Sequence, residues 1–432
     1  MMKTNEKVVS RKVLLPFVLI TSLFALWGFA NAVTDPMVSA FKKVLELNNF
    51  QASLVQLAFY GGYFTMALPA SMFIRKYSYK TGVLIGLGLY ASGALLFYPA
   101  AVTQQFGFFL MGLYVLTFGL AFLETTANPY ILSMGSKETA TRRLNLAQAF
   151  NPVGLIGGLL VAQNFVLAKL QSDDVNFGGL SESAKATIRQ SDLMVIRDPY
   201  VALGLVVIAV FVLIVISKMP ESKDEEDSLS TWQIIKTLVQ RAHYAQGVLA
   251  QAFYVGVQIM CWTYIYQYAE SIGVDGVTAG SYQFAAFVLF FSGRFICTFL
   301  LRYINSGKLL TLLSALAIVF VLGTIFIQGM IGLYCLVMVS FCMSLMFPTI
   351  YGIALEGLSE DESKIGAAGL VMAIVGGALM PTLQGMILDL GGAGYSDIEI
   401  LGVPEVNFSF VLPLLCFLFI ASYGMRVMKG KI

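Results

Sequence analysis

Twelve stretches of the chain are each long and apolar enough to cross a bilayer, and no other feature restricts its fold as much. A helix needs about 20 consecutive apolar residues to span roughly 30 Å of hydrocarbon. The stretches lie near 13–41, 52–74, 81–101, 106–134, 144–171, 199–217, 243–269, 279–301, 308–327, 330–356, 365–389 and 407–426. Lipid supplies no hydrogen-bonding partners, so such runs form helices, which satisfy their own backbone. Charged residues make up 12% of the 432 residues and hydrophobic ones 58%. A soluble chain carries about 25% charged residues, so a water-soluble domain is excluded. The class expected is an all-α membrane protein with twelve transmembrane helices in two pseudo-symmetric six-helix bundles. The first run is too long for the core of a signal peptide and lacks a small-residue cleavage site, so it is read as a span.

The connections between runs divide by charge. With the N-terminus inside, the inner side collects 20 of the 27 Lys and Arg, from Lys3, Lys7, Arg11 and Lys12 through to Arg426, Lys429 and Lys431. The outer side collects Lys42, Lys43, Lys169, Lys185, Arg189 and Arg197, and Arg294 lies within a span. The positive-inside rule then puts both termini in the cytoplasm. The expected location is the cell (inner) membrane.

Two connections are long. Gln171 to Pro199 reads as an ordered outer loop, and Pro220 to Thr231, PESKDEEDSLST, as an acidic linker between two sets of six spans. The expected organisation is a bundle over 1–217, a linker over 218–242 and a bundle over 243–432. Faint internal likeness supports duplication: Gly157-Gly158 recurs as Gly376-Gly377, and Met134-Gly135-Ser136-Lys137-Glu138 as Glu356-Gly357-Leu358-Ser359-Glu360. Twelve spans with a central linker suggest a two-bundle transporter with its substrate site near the midplane. The five cysteines lie in apolar runs and are expected to be free thiols, and the lone His243 is expected to cap a helix end.

Polar residues inside the spans point to chemistry. Glu124 interrupts the fourth run, with Asn128 one helical turn later and Pro129 next to it. A carboxylate near the bilayer centre costs roughly 2.5–3.5 kcal/mol or more, and residues of this kind mark ion and proton paths. Trp27, Asn31 and Asp35 recur every four residues along one stripe of the first run, and Pro36 weakens the helix there. Two carboxylates at different depths suit a proton path. The fifth run opens with Asn145, Gln148 and Asn151 at spacings of three, and the seventh carries Gln251, Tyr254, Gln258 and Trp262. Amides donate and accept at once, which hydroxylated neutral ligands require. Aromatic faces suit the C–H face of a sugar. Polar glue between helices is the bland alternative for each amide, worth about 0.6 kcal/mol. Arg294 stands eight residues from Arg302, roughly 12 Å inside, too deep for easy snorkelling, so a counter-ion or gating contact is expected.

The segments Leu123-Glu124-Thr125-Thr126-Ala127-Asn128-Pro129-Tyr130 and Arg143-Leu144-Asn145-Leu146-Ala147-Gln148-Ala149-Phe150-Asn151 resemble the fucose–galactose–glucose:proton symporter family of the major facilitator superfamily. Tyr254 to Tyr264 and Gly293-Arg294-Phe295 look most like its L-fucose permease branch. The resemblance implies a proton-coupling pair at Asp35 and Glu124. It also implies sugar-facing amides at Gln148 and Asn151, and the spacing of polar residues within the spans adds Trp27, Asn31, Asn128 and Gln258 as candidate substrate contacts. Ala32 and Phe347 depart from the family pattern, which has an Asn and a Tyr there. The expectation is import of L-fucose with a proton. Symport of galactose, glucose or N-acetylglucosamine, and uncoupled facilitation, stay open. The expected partners are sugar, proton and bilayer, for a protein acting as a monomer. No metal cluster, nucleotide loop or nucleophile motif stands in the sequence, so neither an enzyme, a cofactor nor nucleic acid is expected.

Overall fold

The computed structural model describes residues 8–47, 49–173, 179–220, 230–388, 390 and 398–430. It is nearly all helical, with 12 helices long and apolar enough to cross a membrane. Their starts agree with the sequence reading to within five residues except at two places. The fifth begins at Lys137, and the sixth, Glu182–Ile216, is 35 residues long. Among the described residues the strand structure is one two-residue pairing, Glu399–Ile400 with Val403–Pro404, an addition to the expected all-α class. Its tight turn uses positive φ at both Leu401 and Gly402, as a two-residue hairpin needs.

Side-chain caps start several helices where they leave the apolar layer. Ser78 accepts from the Thr81 amide and Asn305 from that of Gly307. Ser359 and Glu362 form a reciprocal capping box at the start of the eleventh span. Each satisfies orphan donors that lipid could not. His243 meets the Ile353 carbonyl in the last turn of the helix Met346–Ala354, the helix-end role expected of it. All five cysteines are free.

The sixth span corrects the reading of Gln171 to Pro199 as loop. From Ser181, whose side chain accepts from Ala184 N, the segment is helix, and Pro199 lies inside it. The charges that suggested loop are used for tying. Lys185 Nζ reaches Glu46 Oε1 at 2.7 Å, Arg189 Nη2 reaches Glu46 Oε2 at 2.9 Å, and Arg189 Nε donates to Val44 O at 3.0 Å. Buried Asp192 accepts from the amides of Gln171 and Ser172 at 2.9 and 3.0 Å. Leu193 and Ile196 are buried beside it.

By backbone contact the chain forms two compact units. One comprises Val9–Met134 and Phe150–Glu225. Within it the first and fifth spans approach backbone to backbone. A Cβ at Gly154 would fall on the carbonyl oxygen of Ala25, and one at Gly28 on that of Asn151. The third and fourth spans meet in the same way, Gly93 against Leu116 and Gly119 against Tyr90. The other unit comprises Met1–Val8, Gly135–Ala149 and Glu226–Ile432. The helix Ala140–Gln148 belongs to it because Asn145 Nδ2 donates to Thr349 Oγ1 at 3.1 Å and Thr141 packs on Gly352.

The hydrogen bond from Lys185 holds the Glu46 carboxyl below its ordinary 4.5, with Lys185 and Arg189 charge adding to it. A depressed carboxyl stabilises the fold above the ordinary value and loses that contribution as pH falls through the lowered one. Glu46→Gln is therefore expected to lower the melting temperature in detergent at pH 7, with the gap to wild type closing well below pH 4.5. Equal melting at pH 7 would show that the tie does not hold the first span to the sixth.

Candidate functional site

The fourth span, Phe106–Ser133, is buried without interruption from Leu120 to Ile131. Its polar residues turn inward on their own helix. Thr125 Oγ1 donates to Ala121 O, Thr126 Oγ1 to Phe122 O, and Asn128 Nδ2 to Glu124 O at 3.0 Å. The Glu124 carboxylate is not treated this way. It is 6% exposed, and Oε2 has no hydrogen-bond partner among the described residues. A buried polar atom left unsatisfied costs about 1–3 kcal/mol, more if charged. Glu124 thus keeps an unused acceptor among the described residues.

The first span reaches it through a residue the sequence reading did not single out. Trp27 stacks on Phe24 at 5.6 Å, and its Nε1 donates to Tyr63 Oη at 2.6 Å. Tyr63 is 1% exposed and lies within electrostatic reach of Glu124. A tyrosine in an apolar run reads as core, and its partners come from other spans, so spacing gave no signal. Asn31, one turn beyond Trp27, keeps a buried Oδ1 without a partner among the described residues. Asp35 falls on the same helix, Leu14–Val44, but its side chain lies outside the described residues.

The fifth span breaks where the candidate amides stand. One helix ends at Gln148, the next begins at Asn151 with Pro152 in its first turn, and the break falls between them. Interrupted spans are where transporters place polar groups in the membrane. Asn151 Nδ2 donates to Phe24 O at 3.3 Å, seated by the close approach at Gly28. The structure thus sets Asn151 against the first span beside Phe24, whose ring stacks on Trp27, and joins Trp27 to Tyr63.

Gln148, Gln258 and Arg294 belong to the other compact unit. Arg294 is 3% exposed. Its Nη1 approaches Gln148 O at 3.5 Å, and its guanidinium lies 5.0 Å over the Phe290 ring. No salt bridge to a carboxylate is present for Arg294 among the described residues. Gln258 is half-buried on the seventh span, Ala242–Ser271. Gln251, two turns earlier, is fully buried with both amide atoms unpartnered. Trp262 is committed elsewhere: Nε1 donates to Ser340 Oγ at 3.2 Å, and Phe287 and Phe290 meet the indole edge to face at 4.8 and 5.1 Å. It fills core and offers no open ring face. Phe347 lies 6.0 Å from the Tyr254 ring, whose hydroxyl donates to Met343 O. No group of three or more His, Cys, Asp or Glu able to hold a metal occurs among the described residues.

The sequence matches the Major Facilitator Superfamily over residues 17–381. It is 57% identical to an L-fucose-proton symporter of Haemophilus influenzae, covering 98% of this chain and 99% of that one. A glucose/galactose transporter of Brucella abortus is 31% identical over 94% of this chain and 92% of the relative. The fold superposes on a crystal structure of the Escherichia coli fucose:proton symporter with a TM-score of 0.85. That match has 33% identity and covers 96% of this chain and 99% of that one.

Trp262→Phe removes one interhelical hydrogen bond and should cost roughly 1 kcal/mol of stability. Ligand affinity, read by tryptophan-independent calorimetry, should not change. Weakened binding at unchanged stability would return Trp262 to the pocket.

Proposed function

The chain belongs to the Major Facilitator Superfamily, and on that premise we propose that it imports L-fucose together with a proton by alternating access. The observation that carries this is the 57% identity, end to end, with a named L-fucose-proton symporter. The relatives are transporters, not enzymes, and the chain is a multi-pass membrane protein.

Glu124 carries the coupling proton. Its unpartnered Oε2 is the acceptor, and protonation removes a charge that the membrane interior opposes. Asp35 serves as the outer proton port. The sugar is held by Trp27, Asn31, Asn128, Gln148, Asn151 and Gln258. Asn31 brings an acceptor with no protein partner, and Asn151 a donor held only by a long bond of 3.3 Å that a sugar hydroxyl can replace. Arg294 acts as a gating contact through the Gln148 carbonyl. Sugar and proton each raise the other's affinity, since coupling free energy is reciprocal. A state carrying both then converts, and the proton leaves inward.

The working unit is a monomer of two six-span bundles, 1–217 and 243–432, joined by the linker 218–242, with no cofactor. It sits in the inner membrane with both termini in the cytoplasm, as the excess of 20 Lys and Arg over 6 supports. Ala32 and Phe347, which bring neither amide nor hydroxyl, favour a second reading in which another hexose is the substrate. An uncoupled sugar facilitator is the third.

Two substitutions separate the roles. Glu124→Gln mimics the protonated acid and should abolish gradient-driven accumulation while sparing downhill exchange. Wild-type accumulation by Glu124→Gln would sink the proton role. Asn151→Ala should raise the half-saturating sugar concentration about ten-fold, a loss of about 1.4 kcal/mol, with the melting temperature little changed. Unaltered affinity would remove Asn151 from the sugar site.

A further inference from the structure

A cavity of about 770 Å³ opens where the third span begins at Tyr79 and the sixth ends at Ile216. These span ends set its level at the edge of the apolar stretches. The walls change character across that level. Leu84, Val215 and Ile216 line the part within the spans, with Ile216 73% exposed, while Ser78, Lys80 and Lys218 line the part beyond. Among the described residues no carboxylate lines it.

The polar end is held in shape. Lys80 Nζ donates to the carbonyls of Val215 and Ser217 at 3.0 and 2.8 Å, which pins the end of the sixth span to the start of the third. Tyr130 Oη donates to Pro220 O at 2.7 Å, and the Tyr130 ring stacks on Tyr79 at 4.9 Å. An ammonium has three N–H donors, so Lys80 keeps one for a ligand. Lys218 makes no hydrogen bond or ion pair with the described residues, and its side chain is exposed. Tyr77, half exposed on the rim, is the amphipathic side chain that membrane interfaces favour.

We propose that this cavity binds an anionic glycerophospholipid of the inner leaflet. Lys80 and Lys218 meet its phosphate, and its acyl chains run along Leu84, Val215 and Ile216. Two cations facing a negative group beside an apolar wall match one amphiphile better than any soluble anion, which would leave that wall in water. Basic pockets between spans on the cytoplasmic side are the usual form of such recognition. The lipid brackets the third and sixth spans where the sixth gives way to the linker sequence.

Native mass spectrometry of the full-length protein, released from micelles holding phosphatidylglycerol or phosphatidylcholine, tests this without measuring transport. Its outcome is therefore separate from that of the symport reading. Wild type should retain phosphatidylglycerol preferentially. Lys218→Gln should lower that retention about five-fold, Lys218→Arg should restore it, and Lys429→Gln, at the far end of the chain, should leave it unchanged. Equal retention by wild type and Lys218→Gln would overturn the site. Displacement of the lipid by millimolar inorganic phosphate would overturn the lipid assignment in favour of a soluble anion.

Discussion

Inside a bilayer a polar group has no water to fall back on, and the placement of most polar side chains on the fourth span answers to that constraint. Threonines on the fourth span return their hydroxyls to carbonyls one turn back, and Asn128 does the same with its amide. Against that background an unpartnered carboxylate oxygen on Glu124 stands out. Helix packing alone would give it a partner or replace it with an apolar residue. A carboxylate that carries a coupling proton alternates between a neutral and a charged form, and an acceptor left open suits the role proposed for Glu124.

Close backbone approach is the second requirement. Gly28 and Gly154 let the first and fifth spans touch at their carbonyls, and that contact places Asn151 beside Phe24 and the Trp27 stripe. A side chain at either glycine would push the seam apart and separate the aromatic from the amide. The break between Gln148 and Asn151 then leaves two amides at helix ends, where they face less competition from regular backbone hydrogen bonding. Glycine, proline and amide act together here, and none would make a site alone.

The spans and the odd carboxylate were legible because both depend on local sequence: twenty apolar residues in a row, and one Glu among them. What escaped depends on partners far along the chain. The outer extension of the sixth span looked like loop because Lys185 and Arg189 are charged, yet both are answered by Glu46, over 130 residues earlier. Tyr63 was not singled out because its partner Trp27 lies on another span. Trp262 read as a sugar platform because spacing shows a side chain's face and not its occupant, here Phe287 and Phe290. Arg294 illustrates the same limit. Its depth was clear from sequence, but the cation–π contact with Phe290 and the Gln148 carbonyl were not.

The central claim is that sugar movement is driven by protons, and one assay addresses it directly. Labelled L-fucose uptake would be followed into proteoliposomes with and without an imposed inward proton gradient, with unlabelled hexoses as competitors. The account predicts accumulation above equilibrium only with the gradient, blocked by L-fucose and not by glucose. Uptake that merely equilibrates, with or without the gradient, would contradict it.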